Sequence, residues 1–156
     1  MVAAAETRVI AALKHAQADA VASYLNAKRY HWYTYGPLFR DIHLFFDELA
    51  NDAFGEIDPL AERLRMLGGE PISTPREIES WATVAIADGK PSPHDMFVEA
   101  LANEQKLIAA LRDAARLADD EHDPGTNDLF ATLVQTHEKH AWFIEEFLRR
   151  EDGLVT

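Results

Sequence analysis

Between residues 37 and 67 the apolar positions Ile42, Phe45, Phe46, Leu49, Ala53, Ile57, Leu60, Ala61 and Leu64 recur at three- and four-residue steps. That spacing draws one continuous stripe along a helix of about thirty residues and does not fit a strand, whose side chains alternate with period two. A stripe of that length has to be covered by other helices, and the same chain supplies them. A first helix is expected over residues 4 to about 34, with Val9, Ala12, Leu13, Ala16, Ala20, Tyr24 and Ala27 on one face. Gly36 breaks it, Pro37 suits the first turn of the second helix, and Gly68 and Gly69 end that helix. From Glu70 to Pro93 the chain carries Pro71, Pro75, Gly89, Pro91 and Pro93, which reads as a crossover with room for a short helix over Arg76 to Ala87. A third helix opens at Ser92 or Pro93 and runs to about Ala118, and after the turn DDEHDPGTND a fourth runs from about Asp128 to Arg150.

Two helical hairpins joined by a long linker with a small helix describe an all-α, ferritin-like four-helix bundle, in which one long crossover is the distinguishing connection. With 156 residues and 47% hydrophobic content, a single domain over 1–156 is expected. No cysteine is present, which excludes disulfide frameworks, thiolate nucleophiles, iron–sulfur clusters and zinc fingers, so any metal must sit on His, Asp and Glu. The opening residues MVAAAETRVIAALKHAQ fit neither a secretory leader nor a membrane span, so a cytoplasmic protein is expected, with nucleoid association open. A net charge of -12, from 27 acidic and 15 basic residues, opposes nonspecific binding to nucleic acid or anionic lipid and favours attraction of cations.

On the second helix His43 and Asp47 share a face, as do Asp58 and Glu62. Roughly 16 Å of helix separates Asp47 from Asp58, too far for one ion. If two copies of this helix pack antiparallel about a two-fold axis, facing residues have position numbers of constant sum. His43 with Glu62 and Asp47 with Asp58 share the same sum, so each pair would face its counterpart in the partner, with the axis near Asp52 and Ala53. His31, at the end of the first helix, can fold back beside His43. Few mixed imidazole and carboxylate donors per ion suit iron, manganese or zinc better than calcium. Phe45, Phe46 and Trp32 are read as core and interface packing.

The pattern His31-Trp32, Gly36, Phe39, His43, Phe46-Asp47, Asp58, Ala61-Glu62-Arg63 and Leu67-Gly68, with the closing HEKHAWFIEEFL, resembles the Dps family of small ferritin-like proteins over nearly the whole chain. The resemblance implies a hollow dodecamer that oxidises Fe(II), preferably with hydrogen peroxide, stores the ferric mineral and protects DNA from oxidative stress. It implies that His31, His43 and Asp47 of one subunit and Asp58 and Glu62 of its mate are the ferroxidase ligands, and that Trp32 intercepts stray radicals. Glu48 and Asp52 then nucleate mineral or are simply solvated. Asp119, Asp120, Glu121 and Asp123, with Asp128 capping the next helix, would line an iron pore or form an ordinary polar loop.

Departures from the family pattern matter too. The first fourteen residues hold only Arg8 and Lys14, and the end RREDGLVT is mixed in charge, unlike the Lys- and Arg-rich terminal tail that binds DNA in many family members, so direct DNA binding is not expected. Pro59 is expected to kink the second helix, with Gly55 relieving the clash as the other reading. His15 and His94 are expected at the surface, and His137 and His140, which could bind a transition metal, are expected to pack or face solvent. Met66, at a helix end, is a poor candidate haem ligand. The alternative functions are a chromosome-coating DNA-binding protein with little catalysis and a zinc or manganese bundle without turnover.

Overall fold

The computed structural model describes residues 2–149, with side-chain surroundings from residue 8 onward. The expected helix end at Arg150 and the rest of the terminal segment lie outside the described residues. Five helices follow one another: α1 (Val2–Tyr33), α2 (Phe39–Met66), α3 (Pro75–Trp81), α4 (Pro93–Asp120) and α5 (Pro124–Leu148). α1 packs chiefly on α2 and α4 on α5, the two hairpins meet through α1 with α4 and α2 with α5, and α3 lies against α1. This is the expected four-helix bundle with a short helix in the crossover.

Three helices start with proline in the first turn behind a capping side chain: Thr74 for α3, Ser92 for α4 and Asp123 for α5. Proline costs nothing there, because its missing N–H has no partner in a first turn. The last helix therefore starts at Pro124 rather than near Asp128, and Asp123 is its cap. The preceding turn closes through His122 at φ 58°, a left-handed conformation that histidine adopts more readily than most side chains. Gly68, at φ 78°, ends α2. α2 runs as one element through Pro59, and a Cβ at Gly55 would meet nothing within 4 Å.

Side chains of α1 hold the crossover against the bundle. The Gln17 amide donates to the Ile72 carbonyl at 3.0 Å and accepts from its N–H at 2.8 Å, and Asn26 does the same between Ala85 and Ala87 at 2.8 Å each. The Asp19 carboxylate accepts from the N–H groups of Thr83 and Val84 at 2.6 and 3.0 Å. Buried polar groups of a loop need such partners. His15, expected at the surface, is instead half-buried: its Nδ1 lies 2.7 Å from the Trp81 carbonyl, with the rings edge-on at 4.9 Å. The exposed position expected for His94 holds.

The apolar interior falls into two clusters. One gathers Leu13, Leu60, Leu64, Leu111, Phe130 and Leu133, and the other Tyr30, Phe45, Phe46, Met96, Phe97 and Ile144. Between them in the register of α2, α4 and α5 lie the buried polar residues Glu56, Glu104, His137 and His140.

Burial alone would raise the Asp123 carboxyl, but hydrogen bonds from Thr126 and the Arg63 guanidinium hold it below its ordinary value. A lowered folded pKa means stability present above the unfolded value of about 4 and lost as pH falls through the folded one. Asp123→Ala should cost about 1 kcal/mol at neutral pH. In denaturant titrations the gap to the wild type should shrink steadily as the pH is lowered below about 4.

Candidate metal centre

His31 closes α1 and His43 sits in the first turns of α2. The connection through Gly36, at φ 99°, turns the two helices onto each other, and the imidazoles stack with centroids 3.6 Å apart. Each ring bonds the other residue's backbone. His31 Nδ1 lies 2.7 Å from the His43 carbonyl oxygen, and His43 Nδ1 lies 2.8 Å from the His31 carbonyl oxygen. A carbonyl only accepts, so in the neutral rings each Nδ1 carries the proton and each Nε2 keeps its lone pair. A second-nitrogen bond of this kind sets the tautomer that metal ligation needs. Phe39 also stacks on His43, at 5.0 Å.

Asp47 Oδ1 is 4.0 Å from His31 Nδ1, too far for a hydrogen bond. It accepts instead from Lys28 Nζ at 2.7 Å, and that bond is the main reason the Asp47 carboxyl lies below its ordinary range. Sequence reasoning missed Lys28. Its one legible sign was its place a turn before His31, on the helix face that α2 covers. Phe45 and Phe46 are in the core as expected, whereas Trp32 is 66% exposed in the single chain and so lies outside the core.

Asp58 and Glu62 are exposed on the distal half of α2, and among the described residues neither has an ion-pair partner. Within one chain they do not gather with His31, His43 and Asp47 into a cluster of donors. Phe54 and Met66, on the same helix, are 64% and 69% exposed, with Phe54 leaning on Tyr24 at 5.6 Å between centroids. Glu48 is exposed, and Asp52 accepts a contact from His140 Nε2 at 2.9 Å. In the acidic turn Glu121 pairs with Arg8 and Asp123 with Arg63, while Asp119, Asp120 and Asp128 are exposed.

His137 and His140 pack in the interior, as one of the two expectations had it, but in charge pairs that the sequence reading did not include. His137 contacts Glu104 through Nδ1 at 2.7 Å and Glu56 through Nε2 at 3.1 Å. Burial would pull the His137 imidazole down, but these carboxylates outweigh it and raise it to about 10. The signal for Glu104 and Glu56 was their position on apolar stripes, Glu104 between Ala100 and Leu107 and Glu56 between Ala53 and Leu60.

The ferritin-like domain family matches residues 10–153. A DNA protection during starvation protein of Brevibacillus brevis is 34% identical over 142 residues, covering 90% of this chain and 95% of that protein. The X-ray structure of Dps from Thermosynechococcus elongatus superposes with a TM-score of 0.97 at 46% identity, covering 99% of each chain. The Dps protein of Vibrio cholerae O1, described as a member of a broad superfamily of ferritin-like diiron-carboxylate proteins, gives 0.88 at 25% identity over 94% of this chain and 92% of that one.

Lys28 competes for the carboxylate that a cation would use. Lys28→Met should raise divalent-cation affinity about fivefold, the equivalent of a partly exposed ion pair worth about 1 kcal/mol. Calorimetric titration of the assembled protein with Co(II) measures it, and an unchanged or weaker affinity would mean that the ammonium does not compete.

Proposed function

The chain belongs to the Dps family of ferritin-like proteins, and from that premise we propose that it is a peroxide-dependent ferroxidase and iron store whose reactive centres are shared between two subunits. The observation that carries this reading is the pair of imidazoles at the α1–α2 turn, each held by the other's backbone with Nε2 left as a donor. The two-fold register of the sequence brings the partner's Asp58 and Glu62 to His31, His43 and Asp47. Among the described residues those two acids are exposed and unpaired, beside exposed apolar side chains that a partner helix would cover.

Fe(II) is the substrate. The Nε2 atoms and the carboxylates of both chains hold two Fe(II) ions, and hydrogen peroxide takes one electron from each. With two protons it becomes two molecules of water, so no hydroxyl radical is released. The Fe(III) hydrolyses and is kept as mineral in a hollow dodecamer, with exposed Glu48 as a nucleating carboxylate. Asp52 is engaged with His140 and is less available for that role. Asp119, Asp120 and Asp128 remain exposed for an acidic iron path, whereas Glu121 and Asp123 are engaged locally. Trp32, exposed beside His31, is placed to donate an electron to a radical that escapes. Manganese or zinc would fit the same donors.

DNA protection then runs through removal of Fe(II) and peroxide. A chromosome-coating role finds no support in a chain of net charge -12. No helix among the described residues is long and apolar enough to cross a membrane, and a reducing cytoplasm, where Fe(II) persists, suits the reaction.

Fe(II) added anaerobically and followed by peroxide should give rapid ferric absorbance with the wild type and initial rates at least about tenfold lower with His43→Ala and Asp58→Ala. Co-assembled from equal amounts of those two variants, the protein should recover roughly a quarter of the wild-type rate. Mixed dimers form half the time, and each restores one of its two sites. Equal rates in all samples would end the assignment, and a mixture no faster than either variant alone would end the sharing. In a low-salt gel-shift the protein should not retard duplex DNA.

A further inference from the structure

The buried layer between the two apolar clusters has the geometry of a second metal site, inside one subunit and separate from the interfacial centre. Two imidazoles converge on one carboxylate: His137 Nδ1 is 2.7 Å from Glu104 Oε2, and His140 Nδ1 is 3.6 Å from Glu104 Oε1. The far nitrogen of each ring meets a different carboxylate, His137 Nε2 at Glu56 Oε2 (3.1 Å) and His140 Nε2 at Asp52 Oδ2 (2.9 Å). This is the relay in which an outer carboxylate orients a ligating histidine by its second nitrogen. Glu104, His137 and His140 each offer a ligand atom within 4.8 Å of the others, and all three residues are buried. Tetrahedral coordination at 2.0–2.1 Å needs donors about 3.3 Å apart, which small side-chain rotations supply.

Two further observations point to an occupant. Glu56 is 8% exposed, yet its second carboxylate oxygen, Oε1, is buried without any hydrogen-bond partner. A cavity of about 30 Å³, lined in part by Glu104, His137, His140, Asn26 and Tyr30, adjoins the cluster and has room for a water to complete the coordination. Three carboxylates face two imidazoles, and a divalent ion would take the place of the protons that the imidazoles hold toward Glu104. The donors do not form the Glu-x-x-His pairs of di-iron bundles, since no glutamate in this chain stands three residues before a histidine.

We propose that Glu104, His137 and His140 bind one divalent transition-metal ion per subunit, with Glu56 and Asp52 as orienting carboxylates, and that zinc is the preferred occupant. Nitrogen and carboxylate donors exclude calcium and magnesium as natural occupants, and zinc outranks Mn(II) and Fe(II) at such a site. An ion held on α4 and α5, with α2 behind it, ties three helices together and takes no part in iron turnover.

The test uses the intact assembly of the His31→Ala/Asp58→Ala chain, which disables the interfacial centre, stripped with chelator and loaded with Zn(II). One tightly held zinc per chain is expected, with anomalous density in its crystals between Glu104, His137 and His140. Glu104→Gln in the same background should weaken binding at least tenfold. Absence of zinc density at that position under saturating zinc overturns the proposal whether or not the Glu104→Gln chain folds, as does undiminished binding in that variant. Because the density is read between Glu104, His137 and His140, apart from the interfacial donors, failure here leaves the ferroxidase reading intact, and loss of the ferroxidase reading leaves this site intact.

Discussion

Ionised carboxylates and an imidazolium are expensive to bury, and in this bundle they are buried only because they meet. Glu104, Glu56 and His137 come from three helices, and each finds its counter-charge on another. A slip of α5 by one turn, about 5.4 Å, would break up this set of contacts and leave buried charge without its full complement of partners, at a large desolvation cost. The layer thus acts on register more than on stability: apolar clusters above and below tolerate sliding far better than a set of paired charges does. It also divides the core, so the aromatic end that supports the α1–α2 turn and the leucine-rich end that supports the α4–α5 turn pack separately.

α2 links that interior to the chemistry at the surface. Its inner face carries Phe46, Glu56, Leu60 and Leu64 into the bundle, and its outer face carries Asp58 and Glu62, with His43 and Asp47 half-buried at the end next to α1. Because the inner face is fixed by packing and by the charge layer, the angular position of every outer donor is fixed too. The α1–α2 turn adds the other element of precision. Two imidazoles that each donate to the other's carbonyl leave both rings little freedom, so the direction of each Nε2 is set by the fold. Lys28 holds Asp47 by a charge pair.

The crossover serves the same end from outside. Gln17, Asp19 and Asn26, all on α1, present amide and carboxylate groups to the backbone of residues 72–87 and give that irregular segment the partners a strand would have. The crossover is thereby tied to the middle of α1, the helix that carries His31 and Lys28.

Read alone, the sequence determined the four long helices and the short helix in the crossover. Each of these rests on periodicity or fixed spacing along one helix, and local chain geometry converts spacing into direction. It also placed a histidine near the surface that is in fact half-buried, started the last helix at Asp128 instead of behind the Asp123 cap, and passed over Lys28, Glu56 and Glu104. The helix start was a local sign passed over, since the Asp123 cap accepts from the Thr126 N–H three residues on, just behind Pro124. The others share one physical cause: the partner of His15 is a carbonyl 66 residues away, that of His137 a carboxylate on another helix, and that of Lys28 a carboxylate on α2. Only the tertiary structure decides which polar groups meet across helices, because that depends on the rotation and register of whole elements, and no spacing within one element records it.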